Sequence, residues 1–348
     1  MKKLLVSLAV LFTMLAGVST STIAQEQKTI EIVPTMNSQS TAQNRIWVGT
    51  FQIVWNEMVD NIIKKPVKFA GYKSPVAKEL NKKAFKKTDV SDDSYYTTYG
   101  VVSPKLKETI ETGIKEKFNE TSDILDTFDW TYRPDKIFIY AMLKKDFKFL
   151  HAFDKLASGG FGQNANAVNY FGINEDSNKK LYKNLKVLFY NSEKDFAVQL
   201  YTKGDDMVVL YRTDDDTTFT NYFKDVKYKK HKYTGDRDFT KDDDLRIPDI
   251  NLYQETSFPD VEGRRIKGTK FQIDKTIETV DFKMNNEGVE LKSEAAIMMK
   301  CMAMPMKNGR EFYFTDKFVL FLIEKGKRTP YYAMRVTDVE TLNKTGRK

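Results

Sequence analysis

A chain of 348 residues can form one large domain or two ordinary ones. Its formal net charge of +8 is spread as mixed Lys and Asp/Glu along the whole length, the pattern of solvated faces, so no nucleic-acid partner is expected. Cys301 is the only cysteine and no internal disulfide can form; packing of an aromatic-rich core has to hold the fold.

Met1 to Ala24 reads as a secretory leader: Lys2 and Lys3, an apolar run from Leu4 to Val18, then small residues ending in Thr22-Ile23-Ala24. The run is short for a bilayer span, and the rest of the chain has none. The expected mature protein is secreted or periplasmic, with no membrane contact once the leader is removed. Residues 25–44, rich in Ser, Thr, Gln and Asn, are expected to be a flexible amino terminus, and residues 45–348 a single domain.

Val48, Phe51, Trp55, Met58, Val59 and Ile62 fall at helical spacing, and Pro66 ends that helix. Two more helices are predicted to start at Ser74-Pro75 and Ser103-Pro104, where Ser caps and Pro suits the first turn; Leu106, Ile110, Ile114 and Phe118 give the second its buried stripe. From Lys136 the pattern turns to strands, at 137–143, 168–171, 196–201 and 207–211, the last two joined by a turn at Gly204-Asp205-Asp206. Helices first and strands later predict an α+β fold rather than βαβ alternation.

Enzyme chemistry finds little support. His151 and His231 are the only histidines, neither sits in a recognisable setting, and no Gly-x-Ser-x-Gly elbow occurs; no enzyme is expected. One cysteine and two distant histidines offer no zinc spacing. Gly159-Gly160-Phe161-Gly162 lacks the Lys-Ser/Thr of a phosphate loop and is expected to be a plain loop. The triplets Asp214–Asp216 and Asp242–Asp244 miss the calcium-loop pattern and read as solvated turns. Met298, Met299, Met302, Met304 and Met306 surround Cys301, a set that suits Cu(I), though methionine also adapts to varied surfaces. The expectation is no metal and no cofactor.

The most informative stretch is 287–300. Val289, Leu291, Ser293, Ala295, Ile297 and Met299 are apolar or small, and Glu290, Lys292 and Glu294 alternate with them, the period of a half-buried strand. Gly288 can serve as a hinge where this segment leaves its sheet.

Glu287-Gly288-Val289-Glu290, followed by Phe314-Thr315-Asp316-Lys317-Phe318-Val319-Leu320-Phe321-Leu322-Ile323 and by Tyr331-Tyr332-Ala333-Met334-Arg335-Val336, resembles the carboxy-terminal end of serpins. Leu245-Arg246-Ile247-Pro248-Asp249-Ile250 and Lys186-Val187-Leu188-Phe189-Tyr190 are similar to two further strands of that family, and the resemblance is good over residues 245–340. It implies a serpin-like fold in a reduced, divergent member exported by a bacterium. It also implies a hinge at Glu287, Gly288, Val289 and Glu290, and a reactive-centre-type loop offered to a serine or cysteine protease partner. The scissile bond would follow Met302, Met304 or Met306. After cleavage the segment beyond Gly288 would enter the main sheet as an extra strand. Leu291, Lys292 and Glu294 depart from the small residues that inhibitory members carry after the hinge, which leaves two readings open: an inhibitor with a cleavable loop, or a non-inhibitory binding protein with residues 289–300 as a constitutive strand.

Overall fold

Two short strands, β1 (Ile30–Ile32) and β2 (Asn44–Val48), pair in parallel at the start of the described chain; the computed structural model describes residues 30–290, 309–339 and 342. Helix α1 (Thr50–Glu57) follows and passes into a π-helical turn over 58–63, which Lys64 ends in the left-handed region two residues ahead of Pro66. The two Ser-Pro signals are met by α2 (Pro75–Leu80) and α3 (Pro104–Phe118): Ser74 accepts the Ala77 amide and Ser103 the Leu106 amide. Between them β3 (Tyr95–Val102) runs antiparallel to β4 (Arg133–Leu143).

The remainder is mostly strand. In order come β5 (Phe147–Lys148), β6 (Asp154–Phe161), β7 (Asn164–Ile173), β8 (Leu185–Ser192), β9 (Asp195–Tyr201) and β10 (Asp206–Arg212). Helix α4 (Phe219–Lys232) precedes β11 (Asp244–Pro248), β12 (Ile250–Thr256), β13 (Arg264–Arg265), β14 (Gln272–Ile273), β15 (Glu278–Met284) and β16 (Gly288–Glu290). The chain closes with β17 (Glu311–Tyr313), β18 (Phe318–Glu324) and β19 (Tyr332–Val336). Few helices on several mixed sheets make the fold α+β.

A seven-stranded sheet, in the order β1-β2-β19-β18-β10-β9-β8, is the central element. Every residue of β18 and β19 is buried, as expected of strands covered on both faces. Two four-stranded sheets, β17-β11-β7-β6 and β12-β15-β16-β5, and the pair β3-β4 pack around it. One continuous apolar core joins most of these layers. A separate small cluster forms where Leu106, Ile110 and Ile114 of α3 meet Tyr140, Phe138 and Met142 of β4.

Three expectations are corrected. Residues 30–44 are not a flexible tail: Ile32 and Val33 are buried, β1 extends the central sheet, and the Ser and Thr side chains there tie local turns, Thr35 to Ser38 and Ser40 to the Ala42 amide. Polar composition at this point marks turn chemistry, not disorder. Gly159-Gly160 is not loop but part of β6, where the missing Cβ at Gly159 leaves room for the Arg246 guanidinium stacked on Tyr170. Asp243 of the second aspartate triplet is not solvated: it is buried and accepts hydrogen bonds from Arg310 and Thr240. In the first triplet, exposed Asp216 pairs with buried Arg45.

Candidate functional site

Of the four expected hinge residues, Gly288, Val289 and Glu290 form strand β16 and Glu287 lies in the turn before it. A tight turn at 285–287 reverses the chain after β15, with the Asn285 side chain accepting the Glu287 amide at 2.9 Å. Neighbouring backbone pins the turn from outside: the Phe149 amide donates to the Glu287 carbonyl and the Phe153 amide to the Asn286 carbonyl, both at 2.8 Å. Strand β16 then runs antiparallel to β15, Lys283 opposite Glu290 and Met284 opposite Val289, and antiparallel to β5, Gly288 opposite Lys148 and Val289 opposite Phe147. A Cβ at Gly288 would collide with the Phe147 carbonyl and the Lys148 Cα, so close backbone approach demands glycine here. Val289 is fully buried. Met302, Met304 and Met306, like Cys301 and the alternating residues from Leu291 onward, lie outside the described residues.

The described part of β16 ends at Glu290. Among the described residues, β15 pairs with β12 along its whole length and with β16 at Lys283 and Met284, and β4 pairs with β3. Between β4 and β15, beneath β16, is a cavity of about 740 Å³. Its walls include Tyr140 of β4, Trp55 of α1, Glu278 and Phe282 of β15, Val289 of β16 and Tyr332 of β19.

Two polar atoms in this wall are buried without a hydrogen-bond partner among the described residues, Glu278 Oε2 and the Tyr332 hydroxyl. The other oxygen of Glu278 accepts the Phe51 amide at 3.0 Å, in the first turn of α1. Burial pushes the Glu278 carboxyl up to about 8, and the Phe51 amide opposes that rise only in part. Burial thus favours the neutral acid. Tyr332 stacks on Phe282, centroids 4.8 Å apart and planes 11° from parallel, and burial holds its phenol well above the usual range.

The turn from β4 to β5 is fixed by charge. Buried Lys145 sits between Glu324 at the end of β18 and Asp206 at the start of β10, the latter at 3.1 Å, with its ammonium over the Tyr331 ring. Ser91 adds its amide and hydroxyl to Glu324, and Tyr331 donates to Asp206. Burial opposes the charge on both acids. The bonds from Lys145 and Ser91 outweigh it at Glu324 and hold that carboxyl below its usual range, whereas Asp206 remains raised.

Sequence reasoning missed Glu278. Its signal was present: in Glu278-Thr279-Val280-Asp281-Phe282-Lys283-Met284 the carboxyl falls in phase with Val280, Phe282 and Met284, the buried face. Among the described residues no cluster of three or more His, Cys, Asp or Glu can hold a metal. His151 lies in the bend before β6 and His231 in the last turn of α4.

No protein-family model matches the chain. No curated protein matches it either. Among solved structures it is similar to Serpin48, described as a highly specific serpin of the insect Tenebrio molitor, at 12% identity and a TM-score of 0.45, over 72% of this chain and 78% of that one. It is also similar to thyroxine-binding globulin in complex with thyroxine, at 9% identity and a TM-score of 0.47, over 85% and 93%. A structure of the human globulin with the same ligand aligns at 8% identity and a TM-score of 0.42, over 77% and 83%.

Proposed function

We propose that the chain is an exported, serpin-like protein that inhibits an extracytoplasmic serine or cysteine protease through a cleavable loop beyond β16. One observation carries this reading. A strand already begun between β15 and β5 points its continuation toward a cavity bordered by β4 and β15, two strands not paired with each other.

Continuing the register of β16 along β15 would set Leu291 opposite Phe282, Ser293 opposite Val280 and Ala295 opposite Glu278. The alternating apolar face would then meet the buried face of β15, and Glu290, Lys292 and Glu294 would face away. Nine residues after Glu290 would extend about 30 Å at the usual strand rise. Cutting the loop frees this segment to enter, and the gain in ladder pairing and apolar burial drives the change.

The test is to incubate the protein with a panel of serine and cysteine proteases and search for a detergent-resistant covalent complex. Mass measurement of the released fragment should place the cut after Met302, Met304 or Met306. Sequencing of the exported product should start at Gln25. Cleavage in this loop with no trapped protease removes inhibition and leaves the second reading, a non-inhibitory binding protein with residues 289–300 constitutively in the sheet. That reading draws support from Val289, already buried between β15 and β5, and from the bulk and charge of Leu291, Lys292 and Glu294. Resistance of residues 298–310 to every protease, with first cuts elsewhere, would overturn the cleavable loop itself.

A further inference from the structure

Beyond its volume of about 740 Å³, within the range of small-molecule pockets, the cavity between β4 and β15 has the chemistry of a ligand site. Its described wall is largely apolar, with Trp55, Met58, Ile139, Val280, Phe282 and Val289 among its residues. It also carries two polar atoms, Glu278 Oε2 and the Tyr332 hydroxyl, that have no hydrogen-bond partner among the described residues. Both residues are more than nine-tenths buried, at 5% and 3% exposure. Buried polar groups are rarely left unsatisfied, and a bound molecule able to hydrogen-bond them would offset the cost of keeping them from water.

We propose that this cavity binds a small uncharged molecule with an extended apolar body and a hydroxyl or carbonyl group, which accepts a hydrogen bond from Glu278. The wall follows β4 from Arg133 to Leu143, about 33 Å at the usual strand rise, so the space is elongated and suits a chain. Oε1 of Glu278 already accepts the Phe51 amide. Burial favours the neutral acid, whose proton then sits on Oε2 as a donor on the cavity wall. Phe282, against which Tyr332 stacks, is four residues from Glu278 on β15, about 13 Å along the strand. A second oxygen at about that distance along the ligand would satisfy the tyrosine hydroxyl.

Charge on the ligand is disfavoured. An anionic head beside Glu278 would be buried without a cation, and a cationic head would require that carboxyl to ionise, so each has to meet the cost of burying charge in an apolar space. At the solvated edge of the wall Arg133 pairs with Asp135 and Lys136 with Asp274, all four side chains at least 45% exposed. That edge selects neither sign. The site is formed by described residues and does not rest on the proposed inhibition.

The test is calorimetric titration of the uncut mature chain with 1-decanol, decanoate and decylammonium, probes of equal chain length. The alcohol should bind once per chain, more tightly than either ion by about tenfold, and should raise the thermal midpoint. 1,10-Decanediol should bind more tightly than 1-decanol, and Tyr332→Phe, which keeps the stacked ring, should erase the difference; equal affinities in the wild type would overturn the second contact. Glu278→Gln keeps a neutral donor and should hold the alcohol within about threefold, whereas Glu278→Leu should weaken it about tenfold. Because Glu278→Leu also leaves the Phe51 amide without its acceptor, an independent variant, Ala141→Phe, places a ring in the cavity from β4 and should abolish binding. Equal binding of the three head groups, or unchanged binding in Ala141→Phe, would overturn the site, as would the absence of saturable binding by every probe.

Discussion

The seven-stranded sheet and the β12-β15-β16-β5 sheet differ in kind: β18 and β19 are buried on both faces, whereas β15 alternates buried and half-buried residues. In the first, β18 is paired on both edges, with β10 through seven residue pairs and with β19 through five, and all of its side chains are buried. In the second, among the described residues, β15 is fully paired with β12 and pairs with β16 at two positions, and a cavity lies between β15 and β4. The first sheet has satisfied its ladder and holds the molecule together. The strand entry proposed above would draw on the space beside the described part of the second sheet.

Substitutions should separate the two regions. Phe321 of β18 is fully buried against Phe219 and Phe223 of α4, and Phe321→Ala should cost about 3–5 kcal/mol, read as a large fall in denaturant midpoint. Should the loss be under 1 kcal/mol, the central sheet is not the stabilising unit. Lys145→Met acts at the junction of the regions, leaving buried Glu324 and half-buried Asp206 without their shared cation. A loss of about 3 kcal/mol is expected, with α3 and β4 losing amide-exchange protection before β18 does.

A pH series addresses the second sheet alone. Glu278 has an ordinary value of 4.5 and is raised to about 8 in the fold, so the folded state holds its proton more tightly than the unfolded chain. The stability it allows is complete below about pH 4.5 and declines as the pH rises toward 8, then levels off. Glu278→Gln should flatten that part of the profile, measured by urea unfolding between pH 5 and 9; an unchanged slope would show that Glu278 is not the group responsible. The smallest effect expected is at Ser103, the cap of α3. Ser103→Ala should cost about 1 kcal/mol and loosen α3 over β4, with little change in the exchange rates of β18 and β19.

Much of this architecture was legible in the sequence, for identifiable reasons. Ser-Pro pairs mark α2 and α3 because cap and first turn are local interactions, and the strands of the central sheet are evident because burial on both faces leaves long apolar runs. Helix α4 was missed although Phe219, Tyr222 and Val226 follow helical spacing after the Thr218 cap, since its many lysines dilute the stripe. The alternation after Gly288 was legible, but the cavity was not. It lies between strands more than a hundred residues apart in the chain, and the separation of β4 from β15 leaves no periodic trace in either. A second reason for glycine at 288 was not legible: the collision with β5 that forbids a side chain exists only once the sheet has formed.

The position of Trp55 makes the cavity optically readable. Its indole lines the wall beside Glu278, with the ring nitrogen donating to Asn81 Oδ1, whereas Trp47 packs edge-on against Phe85 and lines no part of it. Emission from Trp55 reports the polarity of the cavity, and Trp47 supplies an internal standard. Trp130, also in the wall, is best replaced by phenylalanine so that a single chromophore reads the state of the sheet without any added label.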